Sequence, residues 1–292
     1  MPPFDPRQIR RAFGRAAPAY AATAVLQREV ESRLLERLDY FERVPQRILD
    51  IGCGPGRASA ALKQRWPQAQ VLALDLALPM LREAKRHAGW WRPKFARINA
   101  DAGALPLPDA SVELIFSNLC VQWIADLPAL FAEWRRVLAP GGLLLLSTFG
   151  PDTLQELRAA FAQVDADEHV SRFAPIQVVG DALLGSGLRD PVLDADDFTL
   201  TYPEARGLMR ELRAIGAGNA LGARRRSLTG KAHMQRVFDA YEQFRREGVL
   251  PASYEVIYAQ AWGAAPGQPR RQDGADLAAV PLSRIPIRRR GG

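Results

Sequence analysis

Residues 47–56 read Arg-Ile-Leu-Asp-Ile-Gly-Cys-Gly-Pro-Gly, a short apolar run that leads through an acid into three alternate glycines. Ile48, Leu49 and Ile51 have the composition of a buried strand. The residues that follow, 57–63, read as the start of a helix. A strand, a glycine-rich turn and a helix N-terminus form a place where the backbone can approach a ligand closely. The stretch therefore predicts a ligand site at the carboxyl end of a parallel strand.

The glycine spacing differs from that of a dinucleotide-binding fingerprint, which reads G-x-G-x-x-G. Arg57 stands where the third glycine of that pattern would fall. Asp50, inside the strand end, would repel a pyrophosphate and attract an ammonium group. Asp50 with Gly52, Gly54 and Gly56 resembles the first motif of the Rossmann-like S-adenosylmethionine (SAM) methyltransferases. The resemblance implies a SAM site in which the acid faces the methionine end of the cofactor; a tight turn without a ligand is the alternative.

Two further acids end the next two predicted strands. Asp75 follows the last glycine of the loop by 19 residues, where an acid is placed to bond ribose hydroxyls, with Leu76 beside it. Asp101 and Ala102 follow the third strand. In the resembling family an acid there bonds the adenine amino group, and the next backbone N–H meets the ring. Three acids at three consecutive strand ends favour one shared cofactor site.

The composition of the 292-residue chain restricts its class. Its two cysteines have no metal or disulfide spacing and its three histidines are scattered, so no metal site and a reducing cytoplasm are predicted. No apolar run approaches the roughly 20 residues that span a bilayer, and no signal peptide is evident. The net charge is +7, but residues 264–292 carry six arginines and two aspartates, which leaves +3 for the rest. That charge is too mild to indicate nucleic acid, and neither nucleic acid nor a membrane is expected as a partner.

Strands and helices alternate along the chain, which predicts an α/β fold with right-handed crossovers and a parallel sheet. The fold expected is a seven-stranded, Rossmann-like methyltransferase sheet with helices on both faces, in a single domain over residues 1–263. Asn118, after the fourth strand, falls at the same carboxyl edge as the acids and is a further candidate cofactor contact. The predicted strands cover residues 48–51, 70–74, 95–98, 112–117, 143–149, 192–201 and 254–261.

The predicted domain is divided into an N-terminal lid, a cofactor-binding core and a substrate-side region, and a tail follows it. N-terminal lid helices occupy 5–39, with a break at Pro18, and the SAM-binding core occupies 47–149. Substrate-side helices and the sixth strand occupy 150–246, including a helical insertion before the last strand, and that strand occupies 252–262 as an antiparallel edge. Residues 264–292 are rich in Pro, Gly, Arg and Gln and are predicted to be a disordered basic tail.

The residues after the fourth strand, 117–123, read Ser-Asn-Leu-Cys-Val-Gln-Trp and lack the Asn-Pro-Pro-Tyr arrangement of amino-methylating enzymes. No strand-end histidine offers a base, which fits a nucleophile that is already ionised, such as a carboxylate with a pKa near 4. Arg172 is the candidate to clamp that carboxylate, and a surface arginine is the alternative. Lys231 and the run 224–226 form either a landing patch for an acidic partner or a solvated charge run.

Several short segments together resemble the malonyl-[acyl-carrier protein] O-methyltransferases of biotin synthesis, over residues 5–262. They are Ala-Phe-Gly-Arg-Ala-Ala at 12–17 with Tyr20 and Gln27, Ser-Asn-Leu at 117–119 with Val-Gln-Trp at 121–123, Arg-Phe at 172–173, and Leu-Arg-Ala-Ile-Gly-Ala at 212–217.

That resemblance implies SAM-dependent methylation of the free carboxylate of a malonyl group carried on acyl-carrier protein, or on CoA. Tyr20 would close over the cofactor or substrate, and Arg172 would hold the carboxylate. Three alternatives remain open: a methyltransferase for another small acid or a quinone, an assembly factor for a respiratory complex with the same fold, and a nucleic-acid methyltransferase, which the mild charge disfavours.

Overall fold

The computed structural model describes residues 4–89, 93–222 and 230–264, together with the backbone of 270–272 and 275–277. Within these ranges, seven strands form one mixed sheet. Those strands are β1 Arg47–Ile51, β2 Gln70–Asp75, β3 Ala96–Asn99, β4 Val112–Ser117, β5 Leu138–Phe149, β6 Arg189–Tyr202 and β7 Leu250–Trp262. The α-helices are α1 Pro6–Thr23, α2 Val25–Glu36, α3 Arg57–Arg65, α4 Leu78–Ala88, α5 Leu127–Val137, α6 Gln155–Ala162, α7 Ile176–Gly185, α8 Ala205–Ala214 and α9 Lys231–Tyr241.

The strand order β3-β2-β1-β4-β5-β7-β6 confirms the predicted seven-stranded methyltransferase sheet. The first five strands pair in parallel, whereas β7 pairs antiparallel with both β5 and β6. The prediction of the last strand as the edge is therefore wrong, because β7 lies inside the sheet and β6 forms its edge. Burial explains the order: Val256 to Ala259 of β7 are continuously buried, while β6 alternates between exposed and partly buried side chains.

Apolar helix faces cover both sides of the sheet. On one face Val30 and Leu34 of α2 and Leu62 of α3 are fully buried against the sheet. On the other face Phe131 and Trp134 of α5 are equally buried, and Trp134 Nε1 donates to the carbonyl of Ala102 at 2.9 Å. That bond ties the opposite helix layer directly to the carboxyl edge of the sheet, where the site residues were expected.

The N-terminal helices differ from the prediction at Pro18. Helix α1 begins at an Asp5 cap and runs through Pro18 without interruption, and the chain turns instead at Ala24. Pro18 lies on the exposed face, so the backbone carbonyl that it leaves without a donor can bond water. The segment predicted to be a lid is therefore one long helix followed by a second helix.

Two other regions were expected to lie after the core. The insertion before the last strand consists of α8 and α9, as expected. The tail from 264 lies largely outside the described residues, but two short strands, β8 Arg270–Gln272 and β9 Ala275–Leu277, pair antiparallel. The Asp-Gly pair between them in the sequence is a hairpin signal that the predicted disorder did not take into account. Of the helices in the described part, none combines the length and apolar character that a membrane span requires.

Candidate active site

A cavity of about 280 Å³ opens at the carboxyl ends of the first strands. It brings together five residues that the sequence assigned to the cofactor: Gly52, Asp75, Leu76, Asp101 and Ala102. Because β1, β2 and β3 are parallel neighbours, the loops that follow them meet at one edge of the sheet. The strand-end acids are therefore neighbours in space, as their spacing predicted.

The glycine loop is shaped by close contacts that exclude side chains. Gly52 has a φ of +72°, and a Cβ there would lie 2.7 Å from both Cβ and Sγ of Cys120. Gly56 has a φ of +80°, and its Cβ would lie 2.9 Å from that of Ala84 in α4. Gly52 thus lets the loop pass the cavity wall, whereas Gly56 serves helix packing and does not line the cavity.

Asp75 anchors the loop from the end of β2. Its Oδ2 accepts the backbone N–H of Gly54 at 2.9 Å, and its Oδ1 accepts that of Ala77 at 2.7 Å. Burial raises the pKa of this carboxyl to about 6, although these two backbone N–H groups oppose the shift. Each carboxylate oxygen keeps a further lone pair for a ligand hydroxyl.

Two more buried acids stand behind the loop. Asp50 is 1% exposed and accepts the Ser59 hydroxyl at 2.5 Å, and burial raises its pKa to about 7. Glu31 of α2 has its pKa raised to about 7, mainly by burial and also by the negative charge of Asp50. Arg57 Nε lies 3.3 Å from Glu31 Oε1, yet that buried oxygen has no hydrogen-bond partner in the described part of the chain. Once these acids ionise, the site therefore holds more negative charge than its own cations compensate, and a cationic ligand would favour the ionised forms.

Glu31 was missed by the sequence reasoning. It belongs to α2, which precedes the glycine motif by about 20 residues, and only the packing of α2 into the core on that face of the sheet brings it to Arg57 at the start of α3. The only signal in the sequence was an acid on a helix whose other inward positions, Val30 and Leu34, are apolar.

SAM is the cofactor that the resemblance of the glycine motif implies, and we expect its stabilising effect to increase with pH. Asp50 and Asp75 retain protons in the native protein up to about pH 6–7, whereas an unfolded chain loses them near pH 4. The native state therefore binds more protons in this window, and the contribution of these groups to the free energy of unfolding falls as pH rises through it. A bound cation offsets that loss, so the SAM-induced rise in Tm should be larger at pH 8 than at pH 5.5.

Thermal unfolding with and without SAM at the two pH values measures this difference. Asp50→Asn should reduce it, because the neutral amide carries no charge to titrate. Asp197→Asn, at an exposed position of β6, is the matched control and should leave it unchanged. An equal Tm rise at both pH values in the wild-type protein would contradict the electrostatic account.

Tyr20 of α1 lies over the glycine loop, where its Cε1 is 4.0 Å from the position a Cβ of Gly54 would take. Burial, together with the negative charges of Asp75 and Glu31, raises the pKa of the phenol well above its usual value. Tyr20 therefore stays protonated at neutral pH and can donate a hydrogen bond, but it cannot serve as a base.

Asn118 holds the lid and does not line the described cavity. Its Nδ2 donates to the carbonyl of Gln27 in α2 at 3.0 Å, and its Oδ1 accepts the Ser147 hydroxyl of β5 at 2.8 Å. The side chain predicted to contact the cofactor thus connects α2 to the ends of β4 and β5.

A second, larger cavity of about 1220 Å³ lies next to the first, and Trp123 lines both. Its inner end carries the amides Gln27 and Gln122, and its walls are largely apolar, with Phe149 and Phe173 among them. Helices α8 and α9 form the outer wall, where the predicted insertion was expected. The cations that line this cavity are Arg206, Arg210, Arg213 and Lys231.

Arg172 does not take the position predicted for it. Its side chain is 81% exposed and its Nε lies 3.3 Å from Glu168 Oε1, while its neighbours Ser171 and Phe173 line the cavity. The carboxylate clamp proposed for Arg172 therefore has no support in this geometry. Lys231 does reach the cavity, and the run 224–226 lies outside the described residues.

Comparison with known proteins agrees with this geometry. A family model described as a methyltransferase domain matches residues 48–142. A malonyl-[acyl-carrier protein] O-methyltransferase of Xylella fastidiosa is 56% identical over 289 residues, which cover 98% of each chain. The chain belongs to this methyltransferase family. A relative of the same name from Gallionella capsiferriformans is 48% identical over 279 residues, covering 94% of this chain and 96% of its own.

Solved structures agree on the fold alone. The YcgJ protein of Bacillus subtilis superposes with a TM-score of 0.54 at 17% identity, over 79% of this chain and 97% of its own. A SAM-dependent methyltransferase from Thermotoga maritima gives a TM-score of 0.52 at 14% identity, over 87% of this chain and 99% of its own. The protein is a SAM-dependent methyltransferase, and the glycine loop, the strand-end acids and the uncompensated negative charge fit that cofactor.

Proposed function

We propose that this methyltransferase transfers the methyl group of SAM to the free carboxylate of a malonyl thioester on acyl-carrier protein, as a step of biotin synthesis. The observation that carries the proposal is that the two cavities are neighbours, since Trp123 lines both. The large cavity has Trp123 in common with the cofactor cavity and is also lined by cations of α8 and α9. A thioester arm fits the apolar walls, and an acidic carrier protein fits the basic rim. The names of the full-length relatives support the same substrate.

The residues of the chain act by orientation and exclusion of water. When bound, SAM supplies a methyl group on a positively charged sulfur, and this methyl group is strongly electrophilic. A malonyl carboxylate, with a pKa near 4, is already ionised at neutral pH and needs alignment more than deprotonation. Tyr20 and Phe13 of α1 cover the glycine loop together with Trp123, whose ring meets that of Phe13 edge-on at 5.3 Å. This aromatic cover keeps water from the reacting groups.

The reaction can be tested by incubating the purified protein with labelled SAM and malonyl-acyl-carrier protein, with malonyl-CoA and succinyl-acyl-carrier protein in parallel. Base-labile label on the malonyl substrates alone is expected. Transfer to the carrier-protein thioester in preference to malonyl-CoA would identify the carrier. No transfer in a preparation that binds SAM would overturn the proposal, and small acids, quinones and respiratory subunits would then be tested. The reducing cytoplasm is the proposed compartment, which fits the two free cysteines.

Substitutions in the cationic rim and at Arg172 are predicted to have different kinetic effects. Arg210→Ala/Arg213→Ala should raise KM for malonyl-acyl-carrier protein about tenfold and leave kcat nearly unchanged, because exposed ion pairs contribute up to about 1 kcal/mol each. The effect should shrink at high salt and with malonyl-CoA. Arg172→Ala should change kcat/KM by less than about threefold, since its side chain is largely exposed.

Steady-state kinetics on both carriers at two salt concentrations measure these effects. Arg82→Ala, at an exposed position of α4, is the matched control. A large fall in kcat for Arg172→Ala would contradict this prediction and make Arg172 a candidate for holding the carboxylate again.

A further inference from the structure

Two of the three histidines that look scattered in the sequence meet in the fold. His169, in the loop between α6 and α7, has its Nε2 2.8 Å from Oδ1 of Asp165. His233, near the start of α9, has its Nε2 2.8 Å from Oδ2 of the same carboxylate. The three side chains are only 15–18% exposed, and their ligand atoms lie within 4.8 Å of one another. We refer to Asp165, His169 and His233 as the His–Asp cluster.

The two contacts differ in kind. Nε2 of His169 has the geometry of a hydrogen bond to both oxygens of Asp165, at 2.8 and 2.9 Å, and a metal ion bound there would displace the shared proton to solvent. Nε2 of His233 is buried and has no hydrogen-bond partner in the described part of the chain, although a carboxylate oxygen lies 2.8 Å away. A nitrogen and an oxygen this close repel each other through their lone pairs unless a cation or an aligned proton lies between them. A cation held between the three side chains would satisfy this nitrogen.

The donors suit one class of ion. Two imidazole nitrogens with a carboxylate oxygen are ligands typical of zinc and related divalent transition metals, whereas Mg²⁺ and Ca²⁺ prefer sites made of oxygen. A three-residue set leaves a fourth position for water.

Neighbouring groups hold two of the three ligands in place. The ring of His169 stacks on Phe161, with centroids 4.0 Å apart and planes 15° apart. The backbone N–H of Asp167 donates to Oδ1 of Asp165 at 3.0 Å. Such contacts orient the ligand side chains in the metal-free protein. In known metal sites, hydrogen bonds from residues that surround the ligands have the same effect.

We propose that Asp165, His169 and His233 bind one divalent transition-metal ion of the zinc class, which fastens α9 to the α6–α7 loop. His169, Lys231 and Met234 line the large cavity, so the ion would fix one wall of that cavity. The proposal concerns metal binding and the position of α9, not methyl transfer, so it stands independently of the proposed substrate.

The test uses the untagged full-length protein, freed of metal with a chelator and dialysed. Isothermal titration with Zn²⁺ should show one site per chain, and metal analysis after removal of free ion should give a ratio near one. His169→Gln and His233→Gln should each weaken zinc binding by more than about 100-fold, beyond the 10–100-fold typical of changes to outer-shell partners. His87→Gln, at an exposed position on α4, is the matched control and should bind as the wild type does.

Zinc should also raise the Tm of the wild type and of His87→Gln but not of the two cluster variants. If a histidine variant fails to fold, Asp165→Asn, which preserves the shape of the carboxylate, replaces it in both measurements. The proposal would be overturned if the wild type retained no more zinc than the background level. It would also be overturned if folded variants of the His–Asp cluster bound zinc as the wild type does. The second outcome would place the metal on other groups, such as the two thiols.

Discussion

Replacing Asp75 with alanine is expected to weaken SAM binding by at least about 100-fold and so to abolish activity at ordinary cofactor concentrations. We propose that this carboxylate accepts two ribose hydroxyls of the cofactor. Hydrogen bonds to charged groups contribute about 1.5–3 kcal/mol each, and each 1.4 kcal/mol corresponds to about tenfold in affinity. The variant also frees the backbone N–H groups of Gly54 and Ala77, which the carboxylate now holds in position. The loop would lose its preorganised shape as well as a direct contact.

Stability should change much less than affinity in this variant. Removing Asp75 deletes two hydrogen bonds but also relieves a buried carboxylate whose pKa is raised by burial, and these effects oppose each other. Calorimetry should therefore show a large loss of SAM affinity in Asp75→Ala, while thermal unfolding without SAM should show only a small change in Tm.

Asp75→Asn retains one acceptor oxygen and should fall between the wild type and Asp75→Ala. Asp197→Asn, at an exposed position of β6, should match the wild type in both measurements. Undiminished SAM affinity in Asp75→Ala would remove this acid from the cofactor site.

Gly52→Ala should be strongly destabilising and should also lose SAM binding. Its φ of +72° disfavours any residue with a Cβ by about 1–2 kcal/mol. The new methyl group would lie 2.7 Å from Cys120, where the chain is already constrained because Leu119 has a φ of +47°. Together these effects predict a loss of about 2–4 kcal/mol in the free energy of unfolding.

Denaturant unfolding and SAM calorimetry measure both effects of this variant. Gly185→Ala is the control, because that glycine is helical, has no positive φ and has nothing within 4 Å of its Cβ position; it should be neutral or slightly stabilising. Adding Cys120→Gly to Gly52→Ala removes the close contact but not the backbone strain, so it should restore part of the stability. A Gly52→Ala protein with wild-type stability and affinity would contradict the close-packed loop.

The core of the cofactor site follows from local sequence. Strand composition and the glycine spacing predict where each parallel strand ends, and parallel strands place their carboxyl ends at one edge. Gly52, Asp75 and Asp101 therefore lie together around the cavity as predicted. The alternation of strands and helices likewise predicted the parallel core, because crossover connections have one hand.

Residues whose role depends on the rotation of a helix or the position of a loop were not predictable in this way. Arg172 and Lys231 are both cations near the cavity in sequence terms, yet only Lys231 lines it. Asn118 follows its strand as expected, but its side chain turns to the lid carbonyl of Gln27. Such orientations are decided by packing against segments that are distant in sequence, and a local sequence pattern contains no information about that packing.

The sequence by itself determined the methyltransferase core, the glycine loop and the acids that end its strands, because periodicity and strand-end position are local properties of the chain. Only the tertiary structure decided that β7 lies inside the sheet, that Glu31 joins Asp50 behind the loop, and that His169 and His233 share one carboxylate. Those features arise from contacts between segments far apart in sequence, which form when apolar faces are buried against one another.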